Sequence, residues 1–420
     1  MVRSPGVSHA FGPLVLIAVA VQAAAAGAWA GGLDPAPDVH ALQYIDTSFE
    51  NASPLWYEIV AEGTVEVHLL YDHERDSPNR AAGHFHFRLI APTGSKVTLE
   101  LKNLDNVYNG RKASVAGEMK AAVVSTDGKA WRPVSLERLP GDRVRLTVTM
   151  PAPALYVARV EPYRLSDLDL WLASIRSSPL VAITPIGKTV EGRALEIVRI
   201  GRVDAPYRVF LRARAHPWEP GGNWVVQGLV NRLLRGDGEA KACLDCYRVD
   251  ILPMANKDGV ARGLTRFNLR GKDLNRNWDH PADPDLAPEN HALEQWLAAM
   301  IRQGQRPHLA LELHNDGSGQ LHISRPPAAD QERYLRRMAI LEALLRKHTW
   351  FTEGSTRESF RNVGTLGDGW VERYGIDAAV HEFNVNRVTG LNDYPTSRHW
   401  EQYGAELARV FLEYFGTVRP

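Results

Sequence analysis

Three residues of the types that bind zinc follow predicted strands. His216 and Glu219 form an H-x-x-E pair after the apolar segment Arg208–Ala213, and His314 follows Leu309–Leu313. Prolines within and after the pair favour a backbone bend that would let both side chains face one ion. A lone H-x-x-E pair is common by chance, so the prediction depends on His314 as the third ligand. Two histidines and one carboxylate leave a fourth position of zinc for water, as in a catalytic site.

A second group of polar residues follows the first pair. Arg276 has a guanidinium fork that matches a carboxylate with two hydrogen bonds, and the neighbouring Asn275 adds a donor. Arg266 is another cation in the same connection. Glu382 ends a further predicted strand and is a candidate general base. An isolated glutamate at a strand end is usually a solvated charge, so the role of Glu382 depends on the rest of the group.

The segments that must position these residues alternate between apolar strands and amphipathic helices from Ser166 onward. This pattern predicts an α/β region with a mixed, mostly parallel and largely buried sheet that helices flank. The predicted strands are Arg208–Ala213, Tyr247–Leu252, Leu309–Leu313 and Ala378–Glu382, and the predicted helices are Asn223–Leu234, Ala292–Ile301, Gln331–Arg346 and Arg398–Tyr414.

Residues 40–160 have a different periodicity. Phe85, Phe87 and Leu89 lie on one face of a strand, and similar period-two runs are separated by turn residues. This predicts an antiparallel all-β domain, most simply a β-sandwich. His84 and His86 lie on the opposite face, where we expect solvent rather than metal. The change of pattern near residue 162 predicts a sandwich domain at 31–162 and a catalytic domain at 163–420.

Composition excludes several classes of protein. The 420 residues are 44% hydrophobic and 23% charged, which is typical of a folded globular chain. Lys plus Arg and Asp plus Glu each number 49, so no basic surface indicates nucleic acid or anionic membrane as a partner. Cys243 and Cys246 form a C-x-x-C pair, for which a local disulfide is the simplest expectation in an exported protein.

The first thirty residues have the pattern of a secretory signal peptide. A basic start precedes an apolar run at 11–26 that ends in Ala28-Trp29-Ala30, a small-x-small cleavage pattern. A membrane anchor is the alternative, but the run is short for a span and rich in alanine. We therefore expect cleavage near Ala30, export to the periplasm or the medium, and no stable membrane anchor.

These motifs occur in the order found in the zinc metallocarboxypeptidases of the carboxypeptidase A type, which the chain resembles from about residue 165 to 415. The N-terminal part is similar to the cytosolic carboxypeptidase-like branch, in which a β-sandwich precedes the catalytic domain. The motifs concerned are His216-x-x-Glu219, Arg266, Asn275-Arg276, His314 and Glu382, the turns Gly187–Arg193 and Pro253–Gly259, and the sandwich segments Phe85–Arg88, Asn103-Leu104 and Trp131–Pro133.

The resemblance implies one zinc ion per chain and hydrolysis of the C-terminal peptide or isopeptide bond of a peptide or protein. It implies the following roles: metal ligands His216, Glu219 and His314; general base Glu382; oxyanion stabiliser Arg266; substrate-carboxylate ligands Asn275 and Arg276; and Asp273 as the hydrogen-bond acceptor of His216. An approximate alignment puts Phe360 where the family has a mobile, substrate-capping tyrosine. The phenyl ring would lack one hydrogen bond to substrate.

Three other functions fit the same motifs. A zinc amide hydrolase of the aspartoacylase type shares the H-x-x-E pair, the later histidine and an Asn-Arg pair. A cell-wall peptide carboxypeptidase keeps the mechanism and changes the substrate. A non-catalytic binding protein is the third, although all ligand and base candidates are present. The sequence indicates neither the residue released nor the oligomeric state.

Overall fold

The first fourteen strands form the all-β part of a computed structural model that describes residues 42–357, 360 and 363–418. The predicted signal peptide at residues 1–30 lies outside the described residues. The strands are β1 (Tyr44–Asp46), β2 (Leu55–Ala61), β3 (Thr64–Leu69), β4 (Asp72–His73), β5 (Arg80–Ala81), β6 (His86–Ile90), β7 (Lys96–Lys102), β8 (Asp105–Tyr108), β9 (Arg111–Ser114), β10 (Ala121–Ser125), β11 (Arg132–Ser135), β12 (Glu137–Leu139), β13 (Arg143–Thr149) and β14 (Ala154–Ala158).

Two five-stranded sheets enclose one apolar core, which confirms the predicted sandwich. Their orders are β1-β6-β14-β10-β11 and β12-β13-β7-β3-β2. Alternate residues such as Val97, Leu99 and Leu146 are fully buried in a single cluster, because successive side chains of a strand point to opposite faces. The β3–β7 pair is parallel, an exception to the antiparallel expectation. A small sheet, β4-β5-β8-β9, lies outside these two sheets.

The remainder of the chain is the predicted α/β region. Its strands are β15 (Val181–Lys188), β16 (Ala194–Ile200), β17 (Tyr207–Ala213), β18 (Tyr247–Leu252), β19 (Leu309–Asp316), β20 (Leu321–Ile323) and β21 (Asp377–Asn384). Its helices are α1 (Leu165–Ile175), α2 (Gly221–Leu233), α3 (Gly238–Cys246), α4 (Lys257–Ala261), α5 (Pro288–Arg302), α6 (Ala328–His348), α7 (Leu366–Tyr374) and α8 (Ser397–Thr417).

The seven strands form one mixed sheet in the order β15-β16-β18-β17-β19-β21-β20. Strands β18, β17, β19 and β21 are parallel, whereas the outer pairs are antiparallel. The parallel strands are buried on both faces, so their carboxyl ends meet at one edge, where α/β proteins commonly bind ligands. Strands β19 and β21 extend beyond the predicted ends, because their pairing continues to Asp316 and Asn384.

Two local expectations are wrong. His86 is 2% exposed and its Nδ1 lies 3.2 Å from Asn51 Oδ1, while His84 Nε2 lies 3.1 Å from the Asn51 carbonyl. Neither histidine is on a solvated strand face, and burial lowers the pKa of His86 to about 3. Cys243 and Cys246 are free thiols on helix α3 rather than a local disulfide.

Residues from 40 onward belong to one compact unit, so the division near residue 162 remains a proposal about folding units. Within the described residues, no helix combines the length and the apolar composition that a membrane span requires.

Candidate metal centre and active site

A strained turn after β17 directs the chain into the H-x-x-E segment. Arg214 is fully buried and has φ of 62°, a left-handed conformation that non-glycine residues seldom adopt. Its Nε donates to the Pro217 carbonyl at 2.7 Å and its Nη1 donates to Asn223 Oδ1 at 2.9 Å. These bonds close the loop on itself, and the loop presents His216 and Glu219 at the edge of the sheet.

His216, Glu219 and His314 converge on one point. The two histidine Nδ1 atoms lie 3.2 Å apart, His216 Nδ1 lies 2.9 Å from Glu219 Oε1, and His314 Nδ1 lies 2.6 Å from Glu219 Oε2. Tetrahedral zinc with bonds of about 2.0–2.2 Å places neighbouring ligand atoms about 3.3 Å apart. The observed separations are about 0.1–0.7 Å shorter than this. Two imidazole nitrogens and one carboxylate are nevertheless a donor set that zinc prefers, and all three buried residues lie close enough to bind one ion.

The outer nitrogen of each histidine is held by another buried residue. His216 Nε2 lies 3.1 Å from Asp273 Oδ1, which is the contact that the resemblance implied. His314 Nε2 lies 3.0 Å from Asn275 Nδ2 and 3.4 Å from Glu312 Oε1. A carboxylate partner such as Asp273 orients an imidazole and increases its basicity toward a metal. Both Nδ1 atoms are therefore directed toward the shared carboxylate.

A buried ion pair that the sequence did not indicate lies beneath this site. Arg212 Nη1 lies 2.9 Å from Glu312 Oε1 on the adjacent strand, and both side chains are fully buried. Arg212 Nη2 donates to the Leu274 carbonyl at 3.0 Å and to Asn290 Oδ1 at 2.9 Å. One arginine thus connects strand β17, strand β19 and the loop that contains Asp273 and Asn275.

Glu382 lies beside the three-residue cluster because β21 pairs with β19. In the parallel register the Cα partner of His314 is Glu382. Its carboxylate forms a second group with Asp316 and His322, with potential ligand atoms within 4.8 Å of one another. Among the described residues Glu382 Oε2 has no hydrogen-bond partner. Burial, and next the charge of Asp316, raise the pKa of Glu382 well above its ordinary value.

Arg266 is fixed in the same cavity by three contacts. Its Nε donates to Asp273 Oδ2 at 2.7 Å, and its guanidinium lies 5.1 Å from the ring centre of Tyr108. Its backbone N–H donates to Asp72 Oδ2 at 2.7 Å. Tyr108 and Asp72 belong to strands β8 and β4, so the all-β part contributes to holding this cation.

Asn275 and Arg276 both line the cavity, with different freedom to bind a ligand. Asn275 is 2% exposed; its Oδ1 accepts the Leu366 N–H at 2.9 Å, while its Nδ2 contacts His314. Arg276 Nη1 donates to the Asn275 carbonyl at 2.7 Å. The amide of Asn275 is therefore engaged within the protein, whereas the rest of the Arg276 guanidinium lies at the cavity wall.

The cavity has a volume of about 190 Å³ and walls from both parts of the described chain. Tyr108, Val115 and Glu118 come from the all-β part. Phe360 also lines the cavity; it is 36% exposed and its ring centre lies 4.7 Å from that of His322. The structure therefore brings together all nine sequence-predicted site residues, which are His216, Glu219, Arg266, Asp273, Asn275, Arg276, His314, Phe360 and Glu382.

Comparison with known proteins defines the class. Residues 170–322 match the zinc carboxypeptidase family, peptidase M14. This matched part of the chain thus has the sequence features of a zinc carboxypeptidase domain. Among solved structures, a metallo-carboxypeptidase from Burkholderia cenocepacia has a TM-score of 0.76 at 20% identity and covers 89% of this chain and 99% of its own. That similarity establishes the carboxypeptidase-like fold, including the β-rich N-terminal part.

Particular relatives point to one branch of the family. Human cytosolic carboxypeptidase 1 is 42% identical over 143 residues, 33% of this chain and 11% of its own length. Human cytosolic carboxypeptidase 6 is 27% identical over 280 residues, 60% of this chain and 54% of its own length. The chain thus spans only part of the curated relatives that it matches.

The predicted location is wrong. The similar curated proteins are named cytosolic carboxypeptidases, and this finding contradicts export to the periplasm or the medium. The prediction depended on residues 1–30, where a short apolar run near the N-terminus has more than one possible meaning.

Proposed function

We propose that this chain is a zinc-dependent metallocarboxypeptidase that hydrolyses the C-terminal peptide or isopeptide bond of peptides or proteins. The observation that supports this most directly is the convergence of His216 Nδ1, His314 Nδ1 and the Glu219 carboxylate to within 3.2 Å. A free carboxylate oxygen and two guanidinium groups in the same cavity supply the other parts of a peptidase site.

His216, Glu219 and His314 would hold one zinc ion per chain. When bound, zinc supplies Lewis-acid polarisation of a carbonyl and acidification of a water molecule. Asp273 would keep the His216 ring in the orientation that directs Nδ1 to the metal. Glu312 would place a negative charge 3.4 Å from His314 Nε2.

Glu382 would accept the proton of the attacking water and later deliver it to the leaving amine. Such a base must protonate and deprotonate near neutral pH, and a buried carboxylate is suited to this because desolvation disfavours its charged form. Its Oε2 atom has no hydrogen-bond partner among the described residues, so it can accept a proton without breaking a bond.

Arg266 and Arg276 would act on opposite sides of the scissile bond. Arg266, held against Asp273, would stabilise the negative charge that develops on the carbonyl oxygen. Arg276 would bind the terminal carboxylate of the substrate, which restricts the enzyme to C-terminal residues. The amide of Asn275 contacts His314 and Leu366, so we assign to it support of the site and only a minor share of carboxylate binding. Phe360 would offer the substrate an apolar surface.

The decisive experiment compares the zinc-loaded wild type with Glu382→Gln and a matched control, Glu401→Gln. Glu401 is a half-buried glutamate with a raised pKa on helix α8, where it accepts a hydrogen bond from Gln227. We expect Glu382→Gln to lower kcat by about 10²–10⁴-fold, the usual contribution of a general base. We expect both variants to retain zinc, measured by elemental analysis, and Glu401→Gln to keep the wild-type kcat.

The substrates are a C-terminal peptide library, the same peptides with amidated ends, acyl amino acids and muropeptides, read by mass spectrometry. Release of terminal residues only from peptides with a free carboxylate supports the proposal. Preferred hydrolysis of acyl amino acids would favour the aspartoacylase-type alternative, and preferred trimming of muropeptides the cell-wall alternative. Unchanged turnover in Glu382→Gln would exclude this residue as the base.

A further inference from the structure

The residue between the metal-ligand pair lies in the core of the sandwich. Trp218 is 7% exposed and packs within the same apolar cluster as Phe85, Phe87 and Leu99 of the all-β part. A Cβ atom added at Gly83 would clash with the six-membered ring of the indole, so a glycine is required there. The Arg159 guanidinium covers the indole at 3.8 Å from the ring centre.

The polar edge of this indole is directed at a metal ligand. Trp218 Nε1 donates to Glu219 Oε1 at 2.9 Å. Packing alone does not require such a bond, because the buried indole N–H groups of Trp171, Trp370 and Trp400 have no partner among the described residues. A charge-assisted hydrogen bond in a buried site restricts the carboxylate to one orientation.

A second contact, from the small sheet of the all-β part, holds the segment that contains Arg266. Asp72 accepts three consecutive backbone N–H groups, from Thr265 at 3.2 Å, Arg266 at 2.7 Å and Phe267 at 2.8 Å. These are charge-assisted bonds to a carboxylate, so they fix the backbone from which the Arg266 side chain extends. Thr265 also accepts the His84 N–H through its hydroxyl at 3.2 Å.

We propose that the all-β part positions the active site through two contacts: its sandwich core seats the indole of Trp218, which orients the metal ligand Glu219, and Asp72 of its small sheet orients Arg266. The inference rests on the proposed function, since it assigns work to residues around that site. The two contacts act on different parts of it. Trp218 acts on metal binding, whereas Asp72 acts on the cation that faces the reacting carbonyl.

The first test measures zinc affinity of the full chain by competition with a chromophoric chelator, so it does not depend on turnover. Trp218→Phe keeps an aromatic ring in the sandwich core and removes the N–H donor. Trp171→Phe is the control, because Trp171 is equally buried and its N–H has no partner among the described residues. We expect Trp218→Phe to weaken zinc binding about 10–100-fold, as is usual when the partner of a metal ligand is removed, and Trp171→Phe to keep wild-type affinity.

The second test uses Asp72→Asn, with Asp127→Asn as the control. Asp127 accepts the backbone N–H groups of Lys129 and Ala130 and the Ser125 hydroxyl, in a loop that does not line the cavity. We expect Asp72→Asn to lower kcat by about tenfold or more with little change in KM and none in zinc affinity, because a displaced oxyanion donor loses stabilisation mainly in the transition state. Asp127→Asn should leave kcat, KM and zinc affinity unchanged.

The outcomes separate this inference from the proposed function. Wild-type zinc affinity in Trp218→Phe, or an unchanged kcat in Asp72→Asn, overturns the corresponding half of the inference while the wild type remains a zinc peptidase. A wild type that binds no zinc overturns both proposals. If Trp218→Phe does not fold, the Asp72→Asn measurement still decides whether the all-β part positions the site.

Discussion

The α/β region and the sandwich border the same cavity but contribute different kinds of residue. The α/β region supplies the cluster of His216, Glu219 and His314, together with Glu382 and both cavity arginines, all at or beyond the carboxyl ends of parallel strands. The all-β part, which comprises the sandwich and the small sheet beside it, supplies Tyr108, Val115 and Glu118 to the wall and Asp72 to the backbone behind it. The candidate reactive groups thus lie at the carboxyl ends of the parallel strands. The all-β part holds them in place through packing and hydrogen bonds.

The interiors of the two regions also differ in polarity. The inward positions of the sandwich strands are apolar, as in β7 and β13. The parallel sheet contains fully buried charges, including the pair Arg212–Glu312. A buried ion pair is often no better for stability than apolar residues of the same volume. We therefore interpret the sandwich as the part built for stability, and the charged sheet interior as support for the site above it.

The largest expected effect comes from removing a metal ligand. His314→Ala should lose stoichiometric zinc and, with it, more than about 10³-fold of turnover, because the metal supplies several kcal/mol of transition-state stabilisation. His308→Ala is the control, since His308 lies at the opposite end of β19. Elemental analysis and peptide hydrolysis measure the two quantities. Retained zinc and retained turnover in His314→Ala would contradict the assignment of the metal site to the α/β region.

A cavity in the sandwich core should affect stability without affecting chemistry. Leu146 is fully buried in β13, on the sheet that contains neither β6 nor β14, and it does not line the cavity. Leu146→Ala should lower the free energy of unfolding by about 2–5 kcal/mol. Chemical denaturation measures this loss, and kcat per folded molecule should equal that of the wild type. A large fall in kcat would mean that the sandwich core acts on the site through more than the Trp218 indole.

Loss of Arg276, the residue that we propose binds the substrate carboxylate, should weaken binding more than chemistry. Arg276→Gln should raise KM for peptides with a free C-terminus by about 10–150-fold, since a hydrogen bond to a charged group contributes about 1.5–3 kcal/mol. Arg202→Gln, an exposed arginine paired with Asp204, serves as the control. Equal KM values for Arg276→Gln and the wild type would mean that another group binds the carboxylate.

The difference between the α/β region and the sandwich also explains which features could be predicted from the sequence. His216, His314 and Glu382 were predictable because each follows an apolar strand, and parallel strands end at one edge. The contact between Asp72 and Arg266 joins residues 194 positions apart and leaves no local pattern. His86 was expected on a solvated face because period two identifies two faces of a strand but does not identify what covers the second one. Arg212 and Glu312 were missed because a charge within an apolar run indicates nothing about its partner.

The smallest expected effect concerns the aromatic residue at the cavity wall. Phe360 is 36% exposed, so a hydroxyl added there is solvated before substrate binds, and only the net value of a hydrogen bond, about 0.5–1.5 kcal/mol, can be gained. Phe360→Tyr should therefore lower KM by about 2–13-fold with kcat nearly unchanged. Phe360→Leu, which adds no hydroxyl, should not lower KM. Identical KM values in Phe360→Tyr and the wild type would mean that residue 360 does not face the bound peptide, and that the capping function of the family's tyrosine belongs to another position or is absent.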